Sequence, residues 1–200
     1  LRDWGRDCWC ASGKDNTCRH RFDRQYGELP LGYDHKYVYS HFGYNLKITE
    51  MQAAIGCEQL KKLPQIIKAR QENWAFLHSA LSGHRTELLL PEPEENAIPS
   101  WFGFLMTVRE TAGFTRDELV QWLETNNVQT RMLFAGNLTK HPCFDQFKAE
   151  RRGYRIAGSL EHTDEVMARA FWIGVYPGMD HAKLAYMADL IDRFIVRHKR

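Results

Sequence analysis

No apolar run in this chain approaches the roughly 20 residues that span a bilayer, and no basic-then-apolar leader opens it. The residues therefore predict neither a spanning helix nor a cleaved leader. Charge of one sign is also lacking: 27 Lys plus Arg stand against 25 Asp plus Glu, a net charge of +2. Such a balance predicts no strong field for nucleic acid or an anionic membrane. There is no internal repeat, no Ser-His-Asp order, no phosphate-cradling glycine loop and no H-E-x-x-H pair. The nine histidines are scattered singly. His35 and His41 flank an aromatic stretch without an i,i+4 partner, and both read as structural. Cysteine is scarce, with five in all. An odd count fits a disulfide scaffold poorly, so reduced thiols in a cytoplasmic protein are the simpler expectation.

What is present suffices for a core. Hydrophobic residues make up 44% and aromatics 12% of 200 residues, enough for one domain or a small domain with part of another. The chain starts at Leu1 rather than Met, which reads as a piece of a longer protein. From Leu1 to about Asp34 it is rich in Gly, Asp, Asn and Arg with no sustained period, a long structured loop of the kind that is uncommon unless functional. Tyr37–Ser40 reads as a short strand. Thr49 with Gln52 makes a capping box for a helix whose apolar face is Met51, Ala54, Ile55 and Leu60. Pro64 suits the first turn of a second helix, carried by Ile67, Trp74, Leu77 and Leu81.

The second half alternates. Strands are expected at Glu87–Leu90, at Trp101–Val108 with Phe102, Phe104, Met106 and Val108 on one face, at Val128–Met132 and at Trp172–Tyr176. Helices are expected from Thr115 with Glu118 as a capping box, from Thr163, and from Asp180 with Leu184, Met187, Ala188, Ile191 and Ile195 inward. The order strand–strand–helix–strand–helix–strand–helix describes an α+β domain.

Three stretches could carry chemistry. Cys8, Cys10 and Cys18 stand as C-x-C-x7-C in a turn-forming loop. Zinc with His20 as a fourth ligand, an iron–sulfur cluster, or no metal at all are each compatible, and a closed site needs one ligand more than the three thiols. Cys57, in a helical pattern, and Cys143, after Pro142, read as small buried or half-buried residues. Asn45, ahead of the Thr49 helix, could satisfy backbone or offer its amide to a phosphate. Arg131 ends a strand before Gly136–Asn137; an ion pair is the default, and a bidentate grip on an anionic or hydroxylated ligand the alternative.

Together these stretches resemble a known family. Gly43-Tyr44-Asn45-Leu46-Lys47-Ile48-Thr49-Glu50-Met51-Gln52-Ala53-Ala54-Ile55-Gly56 is similar to the helix-opening motif of the DegT–StrS family of vitamin-B6-dependent sugar aminotransferases. The stretches Asp3-Trp4-Gly5-Arg6-Asp7-Cys8-Trp9-Cys10, Asp15-Asn16-Thr17-Cys18, Tyr33-Asp34-His35-Lys36-Tyr37, Arg131-Met132-Leu133-Phe134-Ala135-Gly136-Asn137-Leu138 and Phe171-Trp172-Ile173-Gly174-Val175-Tyr176-Pro177 resemble its dehydrating branch, which serves lipopolysaccharide O-antigen synthesis. The resemblance runs over essentially the whole chain.

It implies an α/β protein: the C-terminal part of a fold-type-I PLP-dependent transferase with an α+β small domain. Residues 1–34 would be an iron–sulfur cysteine loop, 35–62 the end of the large domain, and 63–200 the small domain. It implies two cofactors, pyridoxamine or pyridoxal 5′-phosphate and a [2Fe–2S] cluster. The activity implied is removal of the C3 hydroxyl of a CDP-4-keto-6-deoxyhexose, with electrons from a flavin-containing reductase. Cys8, Cys10 and Cys18 would be cluster ligands, with a fourth cysteine and the catalytic histidine upstream, so no catalytic residue lies in this chain and the piece alone would be inactive. Asn45 would reach the cofactor phosphate of a neighbouring subunit in a homodimer. Lys47 stands where many family members carry arginine, and Arg131 would contact substrate. A plain PLP-dependent nucleotide-sugar aminotransferase is the rival enzyme reading, and a zinc-stapled interaction domain using Cys8, Cys10, Cys18 and His20 the non-enzymatic one.

Overall fold

A computed structural model describes residues 1–11, 13–14 and 16–199. The chain divides into two compact units, Leu1–Lys61 and Lys62–Arg200. In the first, regular structure is sparse. A 3-10 turn covers His35–Tyr37, capped by the Asp34 side chain, which accepts from the Lys36 N–H. The expected Tyr37–Ser40 strand is reduced to one bridge between Arg6 and Tyr39, matched by a second between Asp3 and Asn45. A strand needs a ladder of partners, and here the neighbouring segment offers a single contact at each point.

Helix α1 spans Glu50–Ala80, 31 residues. Thr49 caps it as expected: its hydroxyl accepts from the Gln52 N–H at 3.3 Å, and Gln52 Oε1 accepts from the Thr49 N–H at 2.8 Å. The expected break at Pro64 does not occur, because Pro64 lies inside α1. Proline removes one backbone donor and crowds the preceding turn. Around it Leu60 and Leu63 are exposed, so water can reach the carbonyl that lost its partner. Cys57, expected to be at least half-buried, is exposed on the same stretch, and Cys143 is exposed as well.

In the second unit the far half of α1 buries Asn73, Trp74 and Leu77. Trp74 stacks on Trp101 with ring centroids 4.4 Å apart, and Asn73 donates to the Tyr176 carbonyl at 2.9 Å. Strands β1 (Leu88–Leu89), β2 (Gly103–Val108), β3 (Thr130–Met132) and β4 (Ala170–Gly174) form an antiparallel sheet in the order β1-β2-β4-β3. Helices α2 (Arg116–Thr125), α3 (Asp145–Glu150), α4 (Glu161–Arg169) and α5 (His181–His198) complete it. The core joins Phe104, Met106, Phe171 and Ile173 of the sheet to Leu119 and Leu123 of α2 and Ile191 and Ile195 of α5, all fully buried.

Several expectations shift, among them the Trp172–Tyr176 strand, which runs over Ala170–Gly174 instead. Phe102 lies outside β2 and is exposed; it tilts onto the Trp172 ring instead, 4.8 Å between centroids. Helix α4 begins at Glu161 rather than at a Thr163 cap: the Leu160 carbonyl accepts from the Asp164 N–H at 2.9 Å, which closes the first turn ahead of Thr163. Among the described residues no helix is long and apolar enough to cross a membrane.

Candidate metal centre

The cysteines are placed by two segments that pass at backbone contact. A Cβ on Gly5 would lie 1.8 Å from the His41 carbonyl oxygen, and one on Gly43 would lie 2.1 Å from the Gly5 nitrogen. Gly5 also has φ +85, a conformation that costs other residues dearly. This crossing lets the Trp4 N–H donate to the Tyr44 carbonyl and the Asp7 N–H to the Val38 carbonyl, each at 2.9 Å. Cys8 and Cys10 follow directly. The chain then turns back through Asn16 (φ 59), whose side chain accepts from the Arg21 N–H at 3.3 Å. Asp15 of the motif lies outside the described residues.

The turn returns Cys18 to its partners. The sulfurs of Cys8, Cys10 and Cys18 all lie within 4.8 Å of one another, and the Cys18 N–H donates to Cys10 Sγ at 3.3 Å. The Thr17 hydroxyl and then the Cys18 N–H hold the Cys10 thiol down to about 6, which makes it a thiolate at neutral pH. Burial pushes the Cys8 thiol up, with its two neighbouring cysteines adding to the effect. Cys18 is buried. Tetrahedral thiolate coordination at a bond of 2.3 Å separates sulfurs by about 3.8 Å, so small side-chain rotations would bring these three to a shared ion or cluster. An all-sulfur donor set suits zinc or iron–sulfur chemistry, and three donors leave one position for another ligand. Among the described residues His20 does not join the set; its Nδ1 bonds Asp23 at 2.9 Å.

His35 sits behind the thiols. Its ring is buried, with Nδ1 3.5 Å from Cys18 Sγ and Nε2 2.7 Å from Asp7 Oδ2. The Ser40 hydroxyl donates to the other Asp7 oxygen at 2.7 Å. That hydroxyl first, and His35 second, hold the Asp7 carboxyl below the usual carboxylate range. Tyr26 stacks flat on the His35 ring, 5.0 Å away. Apart from a histidine in the Tyr33–Tyr37 motif, no local pattern announces this arrangement.

On their open side Cys8 and Cys10 line a cleft of about 240 Å³ with Asp3, Arg6, Lys36 and Lys47. Lys47 Nζ lies 3.8 Å from Asp3 Oδ2. Asn45 is exposed in the same unit, its backbone bridged to Asp3, so its amide is open to a ligand. Arg131 belongs to the second unit. It lines a cleft of about 490 Å³ with Trp172, Tyr176, Lys183, Tyr186 and Met187, and its Nη1 donates to the Thr130 carbonyl at 2.8 Å.

The fold is of the aminotransferase type, as its solved structural neighbours show. Residues 19–192 match the DegT/DnrJ/EryC1/StrS aminotransferase family, and the chain belongs to it. It is 51% identical over 197 residues to the dTDP-4-dehydro-2,6-dideoxy-D-glucose 3-dehydratase of Saccharopolyspora spinosa, covering 98% of this chain and 41% of that protein. It is 49% identical over 194 residues to the lipopolysaccharide biosynthesis protein RfbH of Salmonella typhimurium, covering 97% and 43%. Among solved structures, a mutant GDP-4-keto-6-deoxymannose-3-dehydratase with bound GDP-perosamine superposes with a TM-score of 0.67 at 25% identity, over 79% of this chain and 39% of that one. The chain thus spans about two fifths of the length of the relatives it matches.

Proposed function

We propose that this chain is the C-terminal portion of a B6-dependent sugar 3-dehydratase that also uses an iron–sulfur cluster. The observation that carries the reading is the convergence of three cysteine sulfurs in a chain half-identical to a 3-dehydratase. An ordinary aminotransferase has no use for such a centre. When bound, pyridoxamine phosphate supplies the amine and the electron sink through which a C3 hydroxyl departs, and a [2Fe–2S] cluster supplies single electrons from a flavin-containing reductase. Cys8, Cys10 and Cys18 would hold the cluster with a fourth thiolate from elsewhere in the full-length protein. Asn45 would donate its amide to the cofactor phosphate of the neighbouring subunit in a cytoplasmic homodimer. Arg131 would grip an anionic or hydroxylated part of the substrate bidentately. With so little of the enzyme present, the isolated chain would be inactive.

The proposed substrate is a CDP-4-keto-6-deoxyhexose; the dTDP-sugar named for the Saccharopolyspora relative supports dTDP as the second candidate. The test is anaerobic purification of the full-length protein. Iron and sulfide in equal amounts are expected, with turnover of the CDP-sugar exceeding that of the dTDP-sugar when pyridoxamine phosphate and a flavin reductase are added. A colourless, iron-free protein that transfers an amino group from glutamate to the 4-keto sugar would establish the aminotransferase reading instead. Stoichiometric zinc would establish the zinc-stapled one.

A further inference from the structure

The Asp7–His35 pair stands behind Cys18 without belonging to the ligand set, and the His35 ring and the Cys18 thiol are among the few buried groups of their unit. Among the described residues of 1–61, only Gly5, Cys18, His35 and Val38 are buried. Two of those four are the thiol and the imidazole that meet at 3.5 Å. The ring is fixed on three sides: Asp7 Oδ2 holds Nε2 at 2.7 Å, Tyr26 stacks on one face with planes 6° apart, and Cys18 stands at Nδ1. Asp7 is in turn fixed by Ser40. A histidine that only filled space would not need a carboxylate braced by a hydroxyl behind it.

We infer that His35 is a positioning residue for the metal centre: through Nδ1 it hydrogen-bonds the ligating sulfur of Cys18 and raises the reduction potential of the cluster, with Asp7 and Ser40 setting the ring's orientation. The direction of the bond follows from its partners. A metal-bound thiolate has no proton to give, so the sulfur accepts and the ring nitrogen donates. Hydrogen bonds to cluster sulfurs withdraw electron density and favour the reduced state, and partners of this outer kind commonly govern metal affinity roughly 10–100-fold. His35 is not itself a ligand, since its ring nitrogens do not belong to the set of donors that converge within 4.8 Å.

This inference rests on the iron–sulfur reading above, and the experiment separates the two. Full-length wild-type protein, His35→Ala, His35→Gln and Asp7→Ala are loaded with iron and sulfide anaerobically. Iron content, midpoint potential and the electron paramagnetic resonance of the reduced state are then measured. An iron-free wild type would defeat the cluster reading whatever the variants do. Given a loaded wild type, His35→Ala is expected to shift the midpoint to more negative values and to lose iron to a chelator about 10–100-fold more readily. His35→Gln, whose amide N–H can still reach the sulfur, should recover part of both effects, and Asp7→Ala should show a smaller shift of the same sign. If His35→Ala cannot be loaded, His35→Gln and Asp7→Ala carry the comparison. Loaded variants with the wild-type potential and spectrum would overturn the inference. So would the strong nitrogen hyperfine coupling of a directly bound imidazole in the wild type.

Discussion

Cys10 and Thr17 show how much of a site a single hydroxyl can set. The Thr17 side chain is the largest influence holding the Cys10 thiol down to about 6. Thr17→Val in the metal-free protein should therefore move its alkylation-versus-pH profile upward, toward the ordinary thiol range. An unmoved profile would transfer the effect to the Cys18 N–H. If the three sulfurs hold iron as proposed, Cys18→Ser should abolish most of it, since the change removes both a donor sulfur and the sulfur at His35 Nδ1. The three cysteines could be read from the sequence because C-x-C-x7-C is a local spacing. His35 could not: it reaches Cys18 across 17 positions and Asp7 across 28, distances that only the folded loop closes.

Helix caps were legible for the same local reason. Thr115 accepts from the Glu118 N–H while Glu118 reaches back to the Thr115 N–H, and Asp180 accepts from the Lys183 N–H at 2.9 Å. Thr115→Ala should cost about 1 kcal/mol, read as a lower urea midpoint. The backbone N–H of Thr115 holds the Glu118 carboxyl below its usual range, and that of Lys183 does the same for Asp180. Depressed values mean that this support is complete above the ordinary carboxylate value near about 4 and is lost as pH falls through the lower folded value. Stability measured between pH 5 and 2 should decline, and the Glu118→Gln, Asp180→Asn double variant should decline less steeply. Deep in the core, Leu77→Ala should cost about 2–5 kcal/mol; a smaller loss would mean that α1 is free to settle onto the sheet. Helix α1 was also where local reading failed. Pro64 marks a helix start by its chemistry, but exposure of the surrounding turns lets solvent compensate for the missing bond. No sequence window reports that exposure.

At the scale of the whole molecule, the α+β order of the second half was readable from periodicity and bounded turns, whereas the first unit was readable mainly through its motifs. The reason is physical. The second unit has a contiguous apolar core spread over sheet and helices, and such cores write their period into the sequence. The first is shaped by glycine crossings, left-handed turns and side-chain bonds, each a single event without a period. That contrast has a thermodynamic consequence. If the sulfurs bind metal as proposed, a loop whose few buried residues include the Cys18 thiol and the imidazole behind it would draw much of its ordering from that metal. Stripping metal from the full-length protein should therefore release the amide protons of residues 1–40 to exchange while those of β2, β4 and α5 stay protected. Calorimetry should show a metal-dependent and a metal-independent transition. On that reading the loop would report by its own order whether the three sulfurs are occupied, and loss of the bound metal would become visible as protease sensitivity of residues 1–40.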